Sequence, residues 1–302
     1  MTSFPYATDL LNAILGTRWS LPVPTFGVVV ALAIVIATRV ARREVTRLEA
    51  LGALPSWTHS TVGDLAMISV VAGLLGARLF YIVDHVDQFL ADPAAMILSR
   101  AGFSIYGGLC FGVAAGVVFL RRRGVPIVPM LDATAPSLML GYGVGRLGCQ
   151  LAGDGDWGVA SDMTLKPGWL PDWFWAQTYD GNILGVVIPA PGVYPTPIYE
   201  CVAALALFGV LWALRSERPR VGYLFSVYLL LAGFERLLIE KIRVNARHDL
   251  LGLQLTQAEA ISVCLVVAGL LGVLAALKGG RVWTRVLLAL AVGAALSACV
   301  PH

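Results

Sequence analysis

The sequence predicts an all-α, polytopic transmembrane helical bundle of seven to eight spans, with a small extracytoplasmic insert between spans four and five. Three observations carry this expectation. Mean hydropathy is +0.77, and hydrophobic residues make up 58% of the 302 residues against 14% charged. Apolar windows of about 20 residues, the length a helix needs to cross a hydrocarbon core of about 30 Å, recur along the chain. The basic residues gather in alternate connections, as the positive-inside rule requires of a multi-pass protein. No nucleic-acid partner is expected for such a chain.

The first segment, 1–21, reads MTSFPYATDLLNAILGTRW over most of its length. It lacks a basic start and a full-length apolar core, so it is expected to lie on the extracytoplasmic membrane surface rather than to be a cleaved signal. Spans one to four fall near residues 22–40, 62–83, 103–120 and 127–146, within a first transmembrane block at 22–152. Gly108, Gly112 and Gly116 stand four apart in the third span and allow a neighbouring helix close approach. The insert, 153–195, carries Trp157, Trp169, Trp173 and Trp175 among prolines and aspartates, a composition suited to the headgroup level. Spans five to seven lie near 197–214, 221–240 and 257–277, in a second block at 196–277. A last window near 283–300 lies in the C-terminal segment 278–302.

Four connections sort this topology. Those holding Arg39, Arg42, Arg43 and Arg47, then Arg121 to Arg123, then Arg215, Arg218 and Arg220, then Lys278, Arg281 and Arg285, contain 13 of the 22 basic residues. They alternate strictly, which places the N-terminus outside, together with the acidic turn of Asp84, Asp87 and Asp92 and the insert.

Against that pattern, Arg78, Arg146, Arg236 and Arg243 sit at the outer ends of spans. A guanidinium in a bilayer costs about 2.5 to 3.5 kcal/mol even on the lenient insertion scale, so a chain that keeps several needs anionic partners for them. Phosphate is a natural partner, because guanidinium binds it bidentately. Arg236, Glu240, Arg243 and Arg247 are spaced to share one helical face. Such a face is either an internally paired helix end or a phosphate-binding surface. Gly141, Gly143 and Gly145 precede Arg146 and fit either a loosely packed helix end or backbone that nears a ligand. The five cysteines and four histidines show no metal-ligand spacing, so neither a disulfide framework nor a metal site nor a cofactor is expected.

Five segments in order resemble the prolipoprotein diacylglyceryl transferases of the bacterial inner membrane. They are GARLFYI at 76–82, SIYGGLCFG at 104–112, GRLGCQLAGDGDWG at 145–158, YPTPIYE at 194–200 and FERLLIEKIR at 234–243. The resemblance runs from about residue 22 to 265. It implies transfer of the diacylglyceryl group of phosphatidylglycerol to the thiol of a lipobox cysteine in a prolipoprotein signal peptide, by a monomeric inner-membrane enzyme facing the outer leaflet.

Carried onto this chain, the resemblance makes Arg146, Arg236, Tyr106 and Glu240 the catalytic candidates. Arg78, Arg146, Gly107, Gly108, Asp154, Glu200 and Arg243 become the candidates for binding phosphatidylglycerol. The chain departs from the family at Tyr106, where histidine is usual, and at Phe26, Cys149 and Ala152, where tyrosine and two asparagines are usual. A phenol with a pKa near about 10 is a poor base at neutral pH. These changes keep two alternatives open, a diverged enzyme with another acceptor and a non-catalytic binder of anionic lipid. The tail KGGRVWTRVLLALAVGAALSACVPH is laid out like a lipoprotein signal sequence, which makes Cys299 a candidate acceptor mimic.

Overall fold

The computed structural model describes residues 2–99, 102–216, 220–245, 247–250 and 253–278. Among these, the chain is helical apart from the largely irregular insert at 153–195, shorter connections and one two-stranded hairpin. A surface helix, α1 (Ala7–Leu15), is followed by α2 (Thr25–Ala50), α3 (Thr58–Asp84), the short α4 (Val86–Ala91) and α5 (Pro93–Leu98), then α6 (Ile105–Arg122) and α7 (Ile127–Ala152). Beyond the insert with its single-turn α8 (Asp172–Trp175) come α9 (Thr196–Leu214), α10 (Tyr223–Ile239) and α11 (Gln257–Lys278).

Seven of the predicted windows coincide with helices α2, α3, α6, α7, α9, α10 and α11. Five of these, α2, α3, α6, α9 and α11, are long and apolar enough to cross a membrane. Helix α10 has 17 residues, about 25 Å at 1.5 Å per residue, and is carried on by a 3₁₀ turn at Glu240–Ile242. Helix α7 has 26 residues and carries the buried Asp132, Ser137 and Gln150 as well as an internal Pro136. The window near 283–300, and Cys299 with it, lies outside the described residues.

Two helices outrun their apolar windows. The first arginine cluster, Arg39 to Arg47, is not a connection but the last turns of α2, where Arg47 pairs with Glu44. Similarly, α7 runs six residues past Arg146 to Ala152, so this arginine is inside a helix. Apolar length sets where a span enters lipid, whereas backbone hydrogen bonding continues until a turn residue stops it.

The chain divides into two compact units, residues 1–37 with 134–302 and residues 38–133. In the second unit, α3 and α6 meet backbone to backbone. A Cβ added at Gly107 would stand 2.3 Å from the Gly76 carbonyl oxygen, and one at Gly112 would stand 3.0 Å from that of Ser69. Val45, Leu48, Val62, Leu120 and Met130 build this unit's buried core.

The first unit packs α7, α9 and α10 around Ala135, Met139, Ala204, Leu211, Leu224 and Val227. Gly143 lies against Ala204 and Cys201 of α9, so this member of the glycine run serves a helix crossing. Helix α11 lies on α10, with Gly269 against the Leu230 backbone and Gly233 against Ser262.

The insert is held by extended pairing. Gln177 and Val193 exchange both backbone hydrogen bonds at 3.0 Å, and Ser161 N donates to Gly192 O at 2.9 Å. The N-terminal segment joins it, with Ser3 N donating to Asp180 O at 2.7 Å and Phe4 N to Leu151 O at 2.6 Å.

The helical face expected to run from Arg236 to Arg247 ends early. After the 3₁₀ turn the backbone extends at Arg243 (φ −89°, ψ 154°), and Arg247–Leu250 forms an antiparallel hairpin with Leu253–Thr256. The cause is competition for the backbone. Val159 N donates to Ile242 O at 2.8 Å, so the insert takes a carbonyl that a continuing helix would have used.

Candidate active site

The upper ends of α7, α9 and α10 bring three of the predicted arginines onto two carboxylates. Glu200, one turn into α9 after the Tyr194–Pro195–Thr196–Pro197 entry, is fully buried. Its Oε1 accepts from Arg243 Nη1 at 3.0 Å and Arg236 Nη1 at 3.4 Å. Its Oε2 accepts from the Tyr142 hydroxyl at 3.0 Å and also meets Arg146 Nε as an ion pair. That last contact is ionic rather than a hydrogen bond, because the Arg146 Nε–H is not aligned with a partner among the described residues. The Arg146 guanidinium lies 5.0 Å over the Tyr142 ring.

A second carboxylate closes the ring. Asp156 in the insert pairs through Oδ2 with Arg146 Nη1 and through Oδ1 with Arg243 Nη2, the latter at 2.5 Å. Burial disfavours its charge, but the fields of Arg146 and Arg243 outweigh that and hold the Asp156 carboxyl below the usual carboxylate range. Arg243 is also desolvated, yet Asp156 and Glu200 raise its pKa above the usual arginine value. Its position is fixed by a strand-like bridge between Arg243 and Gly158. Arg236 makes a further pair, Nη2 to Glu240 Oε2 at 2.9 Å, and Glu240 accepts from Asn245 Nδ2 at 2.6 Å.

Three guanidinium groups are thus matched by Asp156, Glu200 and Glu240. The match is uneven in exposure. Asp156 remains 33% exposed and Arg236 23%, whereas Glu200 is sealed. The cluster is therefore open at Asp156 and Arg236. A phosphate there would take over hydrogen bonds that Asp156 and Glu240 make in its absence, with arginine geometry already set by Glu200.

The structure distributes the predicted residues unevenly. Arg146, Arg236, Arg243, Glu200 and Glu240 come together. Asp154 stands beside them but makes none of the arginine pairs. Its side chain is hydrogen-bonded with the Cys149 thiol and accepts from Asp156 N at 3.3 Å. Burial and the Asp156 charge push its pKa up. The carboxylate that sequence reasoning missed is therefore Asp156, two residues further along the same glycine-rich turn. Donor atoms of Cys149, Asp154 and Asp156 lie within 4.8 Å of one another, but Asp156 is engaged by two arginines.

Arg78, Tyr106, Gly107 and Gly108 belong to the other compact unit. There Arg78 donates Nη1 to Gly102 O at 2.8 Å, donates Nη2 to the Ser99 carbonyl, and stacks 4.4 Å over Phe103. Tyr106 is half-buried in the first turn of α6. Gly107 and Gly108 occupy the α3–α6 crossing.

Residues 14–275 match the family described as prolipoprotein diacylglyceryl transferase. The chain is 30% identical over 263 residues to a phosphatidylglycerol–prolipoprotein diacylglyceryl transferase of Bacillus cereus strain 03BB102, covering 86% of this chain and 90% of that one. A protein of the same name from Bacillus cereus strain B4264 is 30% identical over 269 residues, 88% of this chain and 92% of the other. One from Bacillus anthracis strain A0248 is 30% identical over 263 residues, again 86% and 90%. With a family match over most of its length and the arginine–carboxylate ring built from that family's segments, the chain belongs to the prolipoprotein diacylglyceryl transferases, a family of membrane transferases.

Proposed function

We propose that this enzyme moves the diacylglyceryl group of phosphatidylglycerol to the thiol of a lipobox cysteine in a prolipoprotein. The acceptor sulfur forms a bond to the glycerol methylene carbon, the bond from that carbon to the phosphate oxygen breaks, and glycerol phosphate leaves with the electron pair. The thiol proton is released in the same event. The observation that carries this reading is the convergence of Arg146, Arg236 and Arg243 on Glu200 and Asp156, with the cluster open at Asp156 and Arg236. Charge grows on the departing phosphate, so donors aimed there stabilise the transition state more than the ground state.

In this reading Arg146 and Arg236 act on the leaving phosphate, Arg243 and Glu200 fix the headgroup site, and Glu240 orients Arg236. Asp154, Arg78, Gly107 and Gly108 are assigned to holding phosphatidylglycerol, and Tyr106 to a hydrogen bond with its headgroup. No metal or cofactor enters the reaction. The same reading places seven to eight spans in a bacterial inner membrane, with the N-terminus and the insert outside and the site facing the outer leaflet.

The test uses purified protein, phosphatidylglycerol and a lipobox peptide. Release of glycerol phosphate should depend on the peptide, and Arg146→Ala or Arg236→Ala should lower kcat by about 10² to 10³-fold, the scale for loss of one transition-state donor. Release without peptide favours a second reading, transfer to another acceptor, for which Tyr106, Cys149 and Ala152 are the supporting departures. In that case a diacylglyceryl mass increment on Cys299 identifies the tail as acceptor. Retained lipid binding with no release under any condition leaves a non-catalytic lipid binder.

A further inference from the structure

Glu235 occupies the same upper layer as the arginine ring and has no role in it. Helices α7, α9 and α10 present matched stripes to one another: Ala135 and Met139, then Leu211 and Ala204, then Leu224 and Val227 with Leu231. On α10 the positions 224, 227, 231 and 235 lie on one face, on α9 211, 207, 204 and 200, and on α7 135, 139, 142 and 146. All three stripes end in a polar group at the same level, Arg146, Glu200 and Glu235. The shared packing below therefore sets Glu235 at the level of the ring, within electrostatic reach of Arg146 and Glu200.

Its situation differs from that of Asp156, Glu200 and Glu240, each of which is ion-paired with an arginine. Glu235 is 8% exposed, and its Oε1 is shielded from solvent with no hydrogen-bond partner among the described residues. Buried polar atoms are nearly always bonded, so an orphaned one in a site wants a reason. Within electrostatic reach it meets Glu200 from α9, Arg146 and Tyr142 from α7, and Arg236 and Arg243 from its own chain segment. At the start of α11, Glu259 is already bonded to Lys241 at 2.6 Å. The three guanidinium groups are matched by Asp156, Glu200 and Glu240, and Glu200 spends both oxygens on arginines and a tyrosine. Lone pairs given to guanidinium are not available to a proton. Those of Glu235 are.

We infer that Glu235 is the proton acceptor for the substrate thiol and thus a catalytic residue. The inference rests on the transfer reaction proposed above. In that step the S–H proton passes to the Glu235 carboxylate as sulfur bonds to the glycerol methylene carbon. The carbon–oxygen bond to phosphate breaks, its electron pair stays on the phosphate held by Arg146 and Arg236, and the proton is then lost from Glu235 to solvent.

The experiment compares wild type, Glu235→Gln and Glu235→Asp in detergent, with phosphatidylglycerol and a lipobox peptide, from about pH 6 to about pH 9.5, a range that spans the free thiol near about 8.5. Glu235→Gln should lower kcat by about 10² to 10⁴-fold at neutral pH, the usual worth of a positioned base, while the KM for phosphatidylglycerol stays within about threefold. Its kcat should climb nearly tenfold per pH unit toward the thiol pKa, because hydroxide must then supply the thiolate, whereas the wild-type rate levels off. Glu235→Asp should keep the wild-type profile at a reduced rate. Wild-type activity together with a Glu235→Gln kcat within about threefold and a parallel pH profile overturns the assignment. If Glu235→Gln fails to bind lipid, Glu235→Asp decides: a retained plateau supports the base, and loss of binding in both variants makes Glu235 a packing residue. Wild-type protein with no peptide-dependent release removes the reaction itself, and this inference with it.

Discussion

Asp156 shows how one side chain ties the insert to the helical bundle. Its carboxylate joins Arg146 of α7 to Arg243 beyond α10, and its backbone carbonyl accepts from Thr196 Oγ1 at 2.5 Å at the start of α9. Its folded pKa lies below the unfolded value of about 3.9. The stability it contributes is therefore complete above that unfolded value and is lost as pH falls through the folded one. Thermal unfolding of wild type and Asp156→Asn in detergent, followed across pH, should show a constant gap above about pH 5 that narrows below about pH 4. A gap that stays constant into acid would remove Asp156 from the ion-pair ring.

The same residue marks a limit of the sequence. Arg146, Arg236, Arg243, Glu200 and Glu240 were legible because cations at the ends of apolar spans require partners. Which of Asp154 and Asp156 does the pairing was not, because Gly153 (φ +61°) and Gly155 (φ +99°) take left-handed conformations that turn the two side chains different ways. Glu235 was hidden for another reason. Nothing in its spacing singles it out, and it is set apart only by a buried oxygen that has neither a hydrogen bond nor an arginine ion pair among the described residues.

At the scale of elements, the closest crossing in the second unit is that of α3 and α6. Glycine there is a packing requirement. The Gly107 Cβ position is 2.3 Å from the Gly76 oxygen and 2.6 Å from Phe80 Cβ, so a methyl group forces the two backbones apart. Gly107→Ala should destabilise the protein by about 1 to 3 kcal/mol, the usual cost of overpacking. Gly145→Ala on α7, where nothing lies within 4 Å, should be nearly neutral in the same thermal unfolding measurement. Equal effects at the two sites would mean that the crossing is not tight. Glycine spacing foretold this contact, whereas helix boundaries were harder to read. The windows marked where α2 and α7 turn apolar, but α2 continues through its arginines to Ala50 and α7 through Gln150 to Ala152. The break at Arg243 was equally hidden, since it depends on a hydrogen bond from Val159, more than 80 residues earlier in the chain.

On the scale of the whole molecule, the insert sorts its tryptophans into two kinds that the sequence treats alike. Trp157 packs on Tyr179 with ring centroids 5.1 Å apart, and Trp175 Nε1 donates to Asp162 O at 2.9 Å. Trp169 and Trp173 are instead 82% and 55% exposed, alongside Leu165 at 68% and Val187 at 90%. Large apolar side chains exposed together on a connection between apolar helices are suited to the headgroup layer, where an indole keeps its N–H in contact with water and buries its rings. Protein in vesicles of lipids brominated near the headgroup should therefore lose tryptophan fluorescence. Replacing both Trp169 and Trp173 by phenylalanine should remove a large part of that quenching, while replacing Trp157 should remove little. If the double variant is quenched as fully as wild type, the insert stands clear of the bilayer, and an acceptor peptide approaching the arginine ring meets water there rather than lipid.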